Sequence, residues 1–469
     1  MLRTLRNFVA KINETHSIMK HLPVRLILIC ILLFLHTPFI LSQDSEYKEQ
    51  IETDTLQMYI RNAQYSKAIE FINRMEFTKE LLYQKALCYR NLNNHYSAID
   101  VLNQLLEEYP DDIPIILQLA LCYDAISQYS KGIDCYDNLL RIDSTNTHFE
   151  VRKADLLFKA EKYSSALDAY SRIDLSYNPN YLTRCIAMCY EKLNQQDMAR
   201  DYFSKAWEIN DQDSYSANSL VKIQVKEEDY LSAFDNSEKF IKMDSANATM
   251  NALNAFVYYN LNFYDVAIDR FEKCLQQGDS SLLVNRSLGI AYYITEKDSL
   301  AHPLLQHAFL QDTTNTNLLY VLGKVNFKLG YYPEAVECFT KLREKITISN
   351  FLLFTTNKEL AMALEKNGEF QNAIDAYSAA LRFSQNNNDR MELYFSMAQI
   401  WDKELKNYYN AISSYRQYRV TLDNYLDSLK DEREINEVET KLTALDEYIK
   451  LLTEEVEKQK KEVKIENLR

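Results

Sequence analysis

Glycine and proline are scarce in this chain. Its 469 residues include 6 glycines and 7 prolines, against average usages of roughly 7% and 5%. The tight turns and strand corners of β-rich and mixed domains depend on these two residues. Hydrophobic residues make up 47% of the chain and charged residues 26%, a balance typical of a globular protein. The scarcity therefore predicts a folded chain that is almost entirely helical.

The sequence also lacks the usual motifs of catalytic and cofactor sites. No Gly-x-Gly occurs, so a phosphate-binding loop of the common kinds is excluded. His302 and His307 are five residues apart with Pro303 between them, which is poor spacing for two metal ligands on one helical face. Cys185 and Cys189 lie one helical turn apart, but no second pair completes a zinc set. We predict a protein that is not an enzyme and has no metal and no cofactor.

Residues 1–42 differ from the rest of the chain. Residues 26–41 are apolar apart from a few positions near Pro38, and basic residues precede them. This pattern predicts a signal peptide cut after Ser42, with Met19 as an alternative start. The alternative is an uncleaved membrane anchor, although 16 residues fall short of the roughly 20 that span a bilayer. We expect an exported protein, periplasmic where the host has an outer membrane.

The chain is acidic. Its net charge is −14, and because residues 1–42 hold five basic residues and one acidic residue, the remainder carries −18. Such a charge argues against nucleic acid and anionic membranes as general partners. A membrane becomes a partner only if the N-terminal segment stays uncleaved.

A repeat of about 34 residues organises the chain. The letters "ALCY" occur at 86–89 and again at 120–123, and "AMCY" follows at 187–190. A bulky residue stands four positions after most of the recurring small residues, which is helical spacing. Cysteines 88, 122 and 189 occupy equivalent places, so packing is their expected role. The small residues are Ala68, Ala98, Gly132, Ala166, Ala199, Ala233, Ala267, Ala301, Ala335, Ala373 and Ala411.

The units "ALCYRNLNNHYSAIDVL" and "AMALEKNGEFQNAIDAYSAAL" resemble the tetratricopeptide repeat family. The resemblance implies an all-α fold, an α-solenoid of about eleven helix-turn-helix repeats, which we place in residues 43–428. It also implies a concave face that binds proteins or extended peptides. We therefore expect an exported, non-catalytic scaffold.

Residues 429–469 follow a heptad pattern, with apolar residues from Ile435 to Val463 in steps of three and four. This pattern is typical of a coiled coil and would allow a homo-oligomer through residues 435–463. An amphipathic helix that caps the solenoid has the same pattern. A structural protein of the cell envelope, assembled through this helix, is the alternative function.

One face of the first helices is expected to bind the ligand. In the five units around Ala187, Val221, Ala255, Gly289 and Gly323, the positions that share this face hold seven basic residues and one acidic residue. A basic and aromatic face on an acidic protein suits an acidic peptide or a carboxylate-bearing tail. The predicted ligand-binding residues are Arg184, Lys192, Tyr215, Lys222, Lys226, Phe256, Tyr259, Arg286, Tyr293, Tyr320, Lys324, Phe327 and Lys328.

Overall fold

The computed structural model describes residues 53–346 and 349–466. Those residues form helices and turns, with no β-strand among them. The helices pair into eleven antiparallel hairpins, numbered repeats 1 to 11, followed by one long helix. The prediction of an all-α solenoid of about eleven repeats is confirmed. The predicted signal peptide, residues 1–42, lies outside the described residues, and no helix within them is long and apolar enough to cross a membrane.

The described chain divides into two compact units, one ending at Ile209 and the other beginning at Asn210. We call them the N-terminal unit, which holds repeats 1 to 5, and the C-terminal unit, which holds repeats 6 to 11 and the long helix. The hairpins of the N-terminal unit are 53–61 with Tyr65–Ile72, Lys79–Asn91 with His95–Glu108, Ile113–Ala125 with Tyr129–Ile142, Thr147–Lys159 with Tyr163–Arg172, and Pro179–Lys192 with Gln196–Ile209.

The C-terminal unit continues the same pattern. Its hairpins are Ser214–Lys226 with Tyr230–Met243, Ala248–Asn260 with Tyr264–Gln276, Leu282–Ile294 with Asp298–Gln311, Thr316–Leu329 with Tyr332–Lys345, Asn350–Lys366 with Phe370–Leu381, and Asn387–Gln399 with Tyr408–Leu426. The long helix is Glu432–Glu466.

Small residues let the two helices of a hairpin approach closely. Ala98, Ala166, Ala267 and Ala335 are all 0% exposed. At Gly323 the approach is so close that an added Cβ would lie 2.8 Å from the Phe339 ring. Bulky side chains fill the space that the crossing helices leave, which explains why the spacing of small and large residues identified the repeats.

The turn inside each hairpin contains one residue with a left-handed backbone. In repeats 2 to 8 this residue is Asn, Ser or Glu, with φ between 57° and 64°; for example, Asn93 has φ 57°. Only repeats 9 and 10 use glycine, at Gly330 and Gly368. The following amide closes the turn, as when Asn94 N donates to Tyr89 O at 2.9 Å. This six-residue bond is the helix-ending Schellman pattern, and it recurs along the solenoid with little glycine.

Repeat 11 departs from the common spacing. Twelve residues separate Ala361 from Ala373 in repeat 10, whereas thirteen separate Ala398 from Ala411. The extra residue is accommodated by a π-helical turn, Ile400–Glu404, which continues the first helix of repeat 11. The extra residue therefore lies inside the repeat, because a helix can absorb a single insertion as a π turn.

The long C-terminal helix packs on repeat 11. Its heptad residues Val438, Leu442, Leu445, Ile449 and Leu452 are each 6–8% exposed. They form clusters with side chains of the last hairpin, among them Tyr415 and Leu422. The part of the apolar stripe between residues 438 and 452 is therefore buried within the chain itself.

Candidate protein-binding face

The first helices of the C-terminal unit lie side by side. Each first helix from repeat 6 to repeat 9 contacts the first helix of the next repeat. We call the surface formed by their side chains the first-helix face. It carries eleven of the thirteen predicted ligand-binding residues, from Tyr215 to Lys328. Arg184 and Lys192 lie in the N-terminal unit, where the Arg184 guanidinium is 5.7 Å from the centre of the Tyr181 ring.

The cations of repeats 6 to 8 have no ion-pair partner. Lys222 and Lys226 are exposed and stand one turn apart on the first helix of repeat 6, and Arg286 is half-buried on that of repeat 8. No carboxylate of the described residues lies within ion-pair distance of these three side chains. Arg286 has a more distant acidic neighbour, Asp312, whose pKa is lowered chiefly by hydrogen bonds from Thr314 and also by the charge of Arg286. With no carboxylate in direct contact, the three cations can still bind an anionic group of a ligand.

Aromatic side chains lie among these cations. Phe256 and Tyr259 stack with ring centres 6.0 Å apart, and Tyr264 meets Tyr259 edge-on at 5.8 Å. Burial raises the pKa of Tyr259, and the nearby charge of Arg286 acts in the opposite direction. Tyr215 is 46% exposed. Rings beside a guanidinium suit a peptide that is bound by side-chain packing as well as by charge.

The cations of repeats 9 and 10 are paired. Lys324 Nζ lies 2.7 Å from Glu359 Oε1, and the two side chains are 22% and 10% exposed. Burial acts to lower the pKa of Lys324, but the hydrogen bond and charge of Glu359 outweigh it, so the pKa is raised. In the next repeat, Lys358 Nζ binds Glu392 Oε2 at 2.6 Å.

Lys328 and the remaining aromatics are also engaged. Lys328 Nζ lies 3.4 Å from Asp298 Oδ2 and 4.8 Å from the centre of the Tyr293 ring. Burial raises the pKa of Tyr320, and the charge of Glu359 acts in the same direction. Phe327 meets Tyr332 edge-on at 5.7 Å. The predicted basic face therefore consists of an open part, repeats 6 to 8, and a paired part, repeats 9 and 10.

The sequence analysis missed Glu359 and Asp298. Glu359 belongs to repeat 10, outside the five units compared, and Asp298 begins a second helix. A usable signal exists, because Lys324 and Glu359 are 35 residues apart and Lys358 and Glu392 are 34 apart. Opposite charges separated by one repeat meet on neighbouring first helices.

In the N-terminal unit, each of two aspartates contacts more than one side chain. Asp124 binds Lys159 Nζ at 2.7 Å and lies 3.7 Å from Arg152. Asp155 Oδ1 accepts hydrogen bonds from the hydroxyls of Tyr170 and Tyr181, each at 2.7 Å. Burial is the main cause that raises the pKa of both tyrosines.

The described residues hold no group of three or more metal-ligating side chains that could bind an ion. Their seven cysteines are free thiols, and all are buried. Burial raises the pKa of Cys189 to about 12 and that of Cys185 to about 11. Thiols of this kind are packing residues at neutral pH.

Tetratricopeptide repeat family models match residues 80–112 and 186–213. Among curated proteins, a tetratricopeptide repeat-containing protein of Methanocaldococcus jannaschii is 26% identical over 262 residues, covering 51% of this chain. The match covers 43% of that protein's length. The chain therefore contains tetratricopeptide repeats, as the resemblance predicted. Proteins built from these repeats are generally protein-interaction scaffolds, and the fold is typically non-catalytic.

The chain is similar to solved structures of other helical repeat proteins, with TM-scores below 0.5. YrrB, described as a tetratricopeptide repeat protein with an unusual peptide-binding site, has a TM-score of 0.36 and 22% identity, covering 40% of this chain and 94% of its own. A tetratricopeptide repeat protein from Parabacteroides merdae has a TM-score of 0.39 and 12% identity, covering 54% and 98%.

Proposed function

We propose that this protein is a non-catalytic scaffold that binds an extended, acidic protein segment on the first-helix face of repeats 6 to 8. The observation that carries the proposal is the set of cations without an ion-pair partner, Lys222, Lys226 and Arg286. The stacked Phe256 and Tyr259 lie on the first helix between those that carry the cations. The chain is acidic overall, with a net charge of −14. A face that carries basic residues and few acidic ones is therefore not what its composition alone would produce. Carboxylates of a ligand would form charge-assisted bonds with these side chains.

The test is affinity capture from an extract of the protein's own cells, beside direct binding of a fluorescein-labelled oligoglutamate peptide. The variant carries Lys222→Glu, Lys226→Glu and Arg286→Gln. Lys324 is left intact, because its reversal would place two carboxylates together at Glu359. We expect the variant to lose both the captured partners and the oligoglutamate while its circular dichroism is unchanged.

A matched control changes the same amount of charge elsewhere. Lys67, Lys242 and Arg343 are exposed on second helices, and Lys67→Glu, Lys242→Glu and Arg343→Gln should leave binding intact. Equal binding by the face variant and the control would rule out the first-helix face. Binding of oligolysine in preference to oligoglutamate would rule out an acidic ligand.

We also propose that the protein is exported with residues 1–42 removed as a signal peptide. The support is the sequence alone, the apolar run of residues 26–41 after basic residues. N-terminal sequencing of the protein recovered from its cells would give Gln43 as the first residue. A protein that keeps residues 26–41 and sediments with membranes would instead be anchored by them.

A further inference from the structure

The Lys324–Glu359 ion pair joins the first helices of repeats 9 and 10. Glu359 is 8% exposed, and its Oε1 accepts from Lys324 Nζ at 2.7 Å. Its other oxygen, Oε2, is buried and has no hydrogen-bond partner in the described chain. Lys324 therefore provides the close ionic compensation for a nearly buried carboxylate.

Withdrawing Lys324 from this pair would be unfavourable. Breaking a buried ion pair strands the remaining charge in a poorly solvated place, which is strongly destabilising. An acidic ligand that recruits Lys324 would have to leave Glu359 uncompensated. The Lys324 side chain is partly exposed on the first-helix face, but for this reason we do not expect it to bind an anionic ligand.

Packing does not require a carboxylate at this position. Glu359 stands two residues before the small residue Ala361 of its first helix. The equivalent positions of repeats 6 to 9 hold small or apolar residues, namely Ser219, Leu253, Ser287 and Val321. Since those repeats pack with the same hairpin geometry, the acid of repeat 10 is a departure that changes the charge of the face and is not needed for the fold.

We infer that Glu359 masks Lys324 and so ends the anion-binding surface at repeat 8. This inference rests on the proposed function, because it concerns the extent of the same face. Lys328 and Lys358 are held in the same way, by Asp298 at 3.4 Å and by Glu392 at 2.6 Å. The acidic part of a ligand is thus confined to repeats 6 to 8, and Glu359 is a specificity-determining residue that acts through Lys324.

The test is a gain of affinity, which a poorly folded variant cannot imitate. Glu359→Gln keeps the size of the side chain and releases the Lys324 ammonium. We expect oligoglutamate to bind this variant about fivefold more tightly than the natural chain, as measured by fluorescence anisotropy. The control is Glu337→Gln, because Glu337 is an exposed second-helix carboxylate 2.5 Å from Lys341. It removes the same charge in a neighbouring repeat, and binding should not change.

A double variant assigns the gain to Lys324. In Lys324→Gln with Glu359→Gln, both charges are absent, and we expect the affinity to return to that of the natural chain. Unchanged or weaker binding by Glu359→Gln, or a gain that persists in the double variant, would overturn the inference. If Glu359→Gln does not fold, Glu359→Ser takes its place, because serine occupies the equivalent position of repeats 6 and 8; the absence of a gain in that variant would equally overturn the inference.

The proposed function fails separately. It fails if the natural chain does not bind oligoglutamate; binding that then appears in Glu359→Gln would still support masking by Glu359. If neither protein binds the peptide, both proposals fall.

Discussion

The first helices of the two units use the same residue types differently. In the N-terminal unit, Asp124 pairs with Lys159, and Asp155 pairs with Arg152 at 3.1 Å and accepts hydrogen bonds from two tyrosine hydroxyls. In repeats 6 to 8 of the C-terminal unit, Lys222, Lys226 and Arg286 have no carboxylate partner among the described residues. The repeat motif thus fixes helix packing, while pairing between neighbouring repeats decides which charges have no partner within the chain.

The largest expected effect is on the stability of the N-terminal unit, through the partners of Asp155. Asp155→Ala should lower the free energy of unfolding by about 3 kcal/mol, because it leaves the hydroxyls of Tyr170 and Tyr181 without an acceptor and removes the ion pair with Arg152 at 3.1 Å. Tyr170 is only 2% exposed, so water replaces the lost bond poorly. Urea denaturation measures the change. Asp155→Asn retains an acceptor oxygen and should cost about half as much; an equal cost would mean that the negative charge is what matters.

The next effect is on binding. Arg286→Gln should weaken oligoglutamate binding about tenfold, because it removes one charge-assisted bond. The free energy of unfolding should change by less than about 0.5 kcal/mol, since Arg286 has no ion-pair partner to lose. Its counterpart is Lys159→Gln in the N-terminal unit, which should leave the affinity unchanged because Asp124 already occupies Lys159. An equal loss of affinity in both variants would show that pairing with a carboxylate does not decide which cations bind the peptide.

A smaller effect on stability is expected when one buried glycine of each unit is replaced by alanine. An added Cβ at Gly323 would meet the Phe339 ring at 2.8 Å, and one at Gly132 would meet Leu156 Cδ1 at 2.8 Å. A ring yields less readily than the end of a leucine. Gly323→Ala should cost about 1 kcal/mol, overpacking exceeding the gain in helix propensity, and Gly132→Ala should be close to neutral. Thermal melting of the two variants side by side tests whether the contact within the hairpin at Gly323 is less tolerant than the contact between repeats at Gly132.

The smallest effect concerns a carboxylate and two tyrosines in the C-terminal unit. Asp402 Oδ2 accepts from Tyr448 Oη of the long helix at 2.6 Å and from Tyr415 Oη at 3.3 Å. The hydrogen bond to Asp402 raises the pKa of Tyr448 to about 12. Because the folded pKa is above the value of about 10 for an unfolded tyrosine, the stabilisation is complete below pH 10 and is lost as the pH rises through about 12.

Between about pH 10 and pH 12, the long helix of the natural chain should therefore detach from repeat 11 more readily as the pH rises. In Tyr448→Phe this pH dependence should be smaller. Hydrogen exchange of the long helix, followed as the pH is raised, measures it. A natural chain and a variant that undock with the same pH dependence would show that this hydroxyl does not hold the helix.

Much of the fold was predictable from the sequence, because small and bulky residues recur with the period of the repeat and those positions are the buried ones. Ala98 and Ala335 were located this way, and both are fully buried. The pairing on the face was less predictable. Lys324 looked available because its partner comes 35 residues later, on another helix, and a single-helix projection cannot contain that partner. The π turn at Ile400–Glu404 was missed because one inserted residue changes the spacing without changing the residue types.

The left-handed turn residues have a consequence for how this protein can change. An asparagine, serine or glutamate at these positions, such as Glu161, Glu228 or Glu296, is less favourable than glycine by up to about 1 kcal/mol. These turns lie between the helices of a hairpin and contribute none of the cations that define the first-helix face. Substitutions at these turns can therefore change the melting temperature while leaving the cations of the first-helix face unaltered.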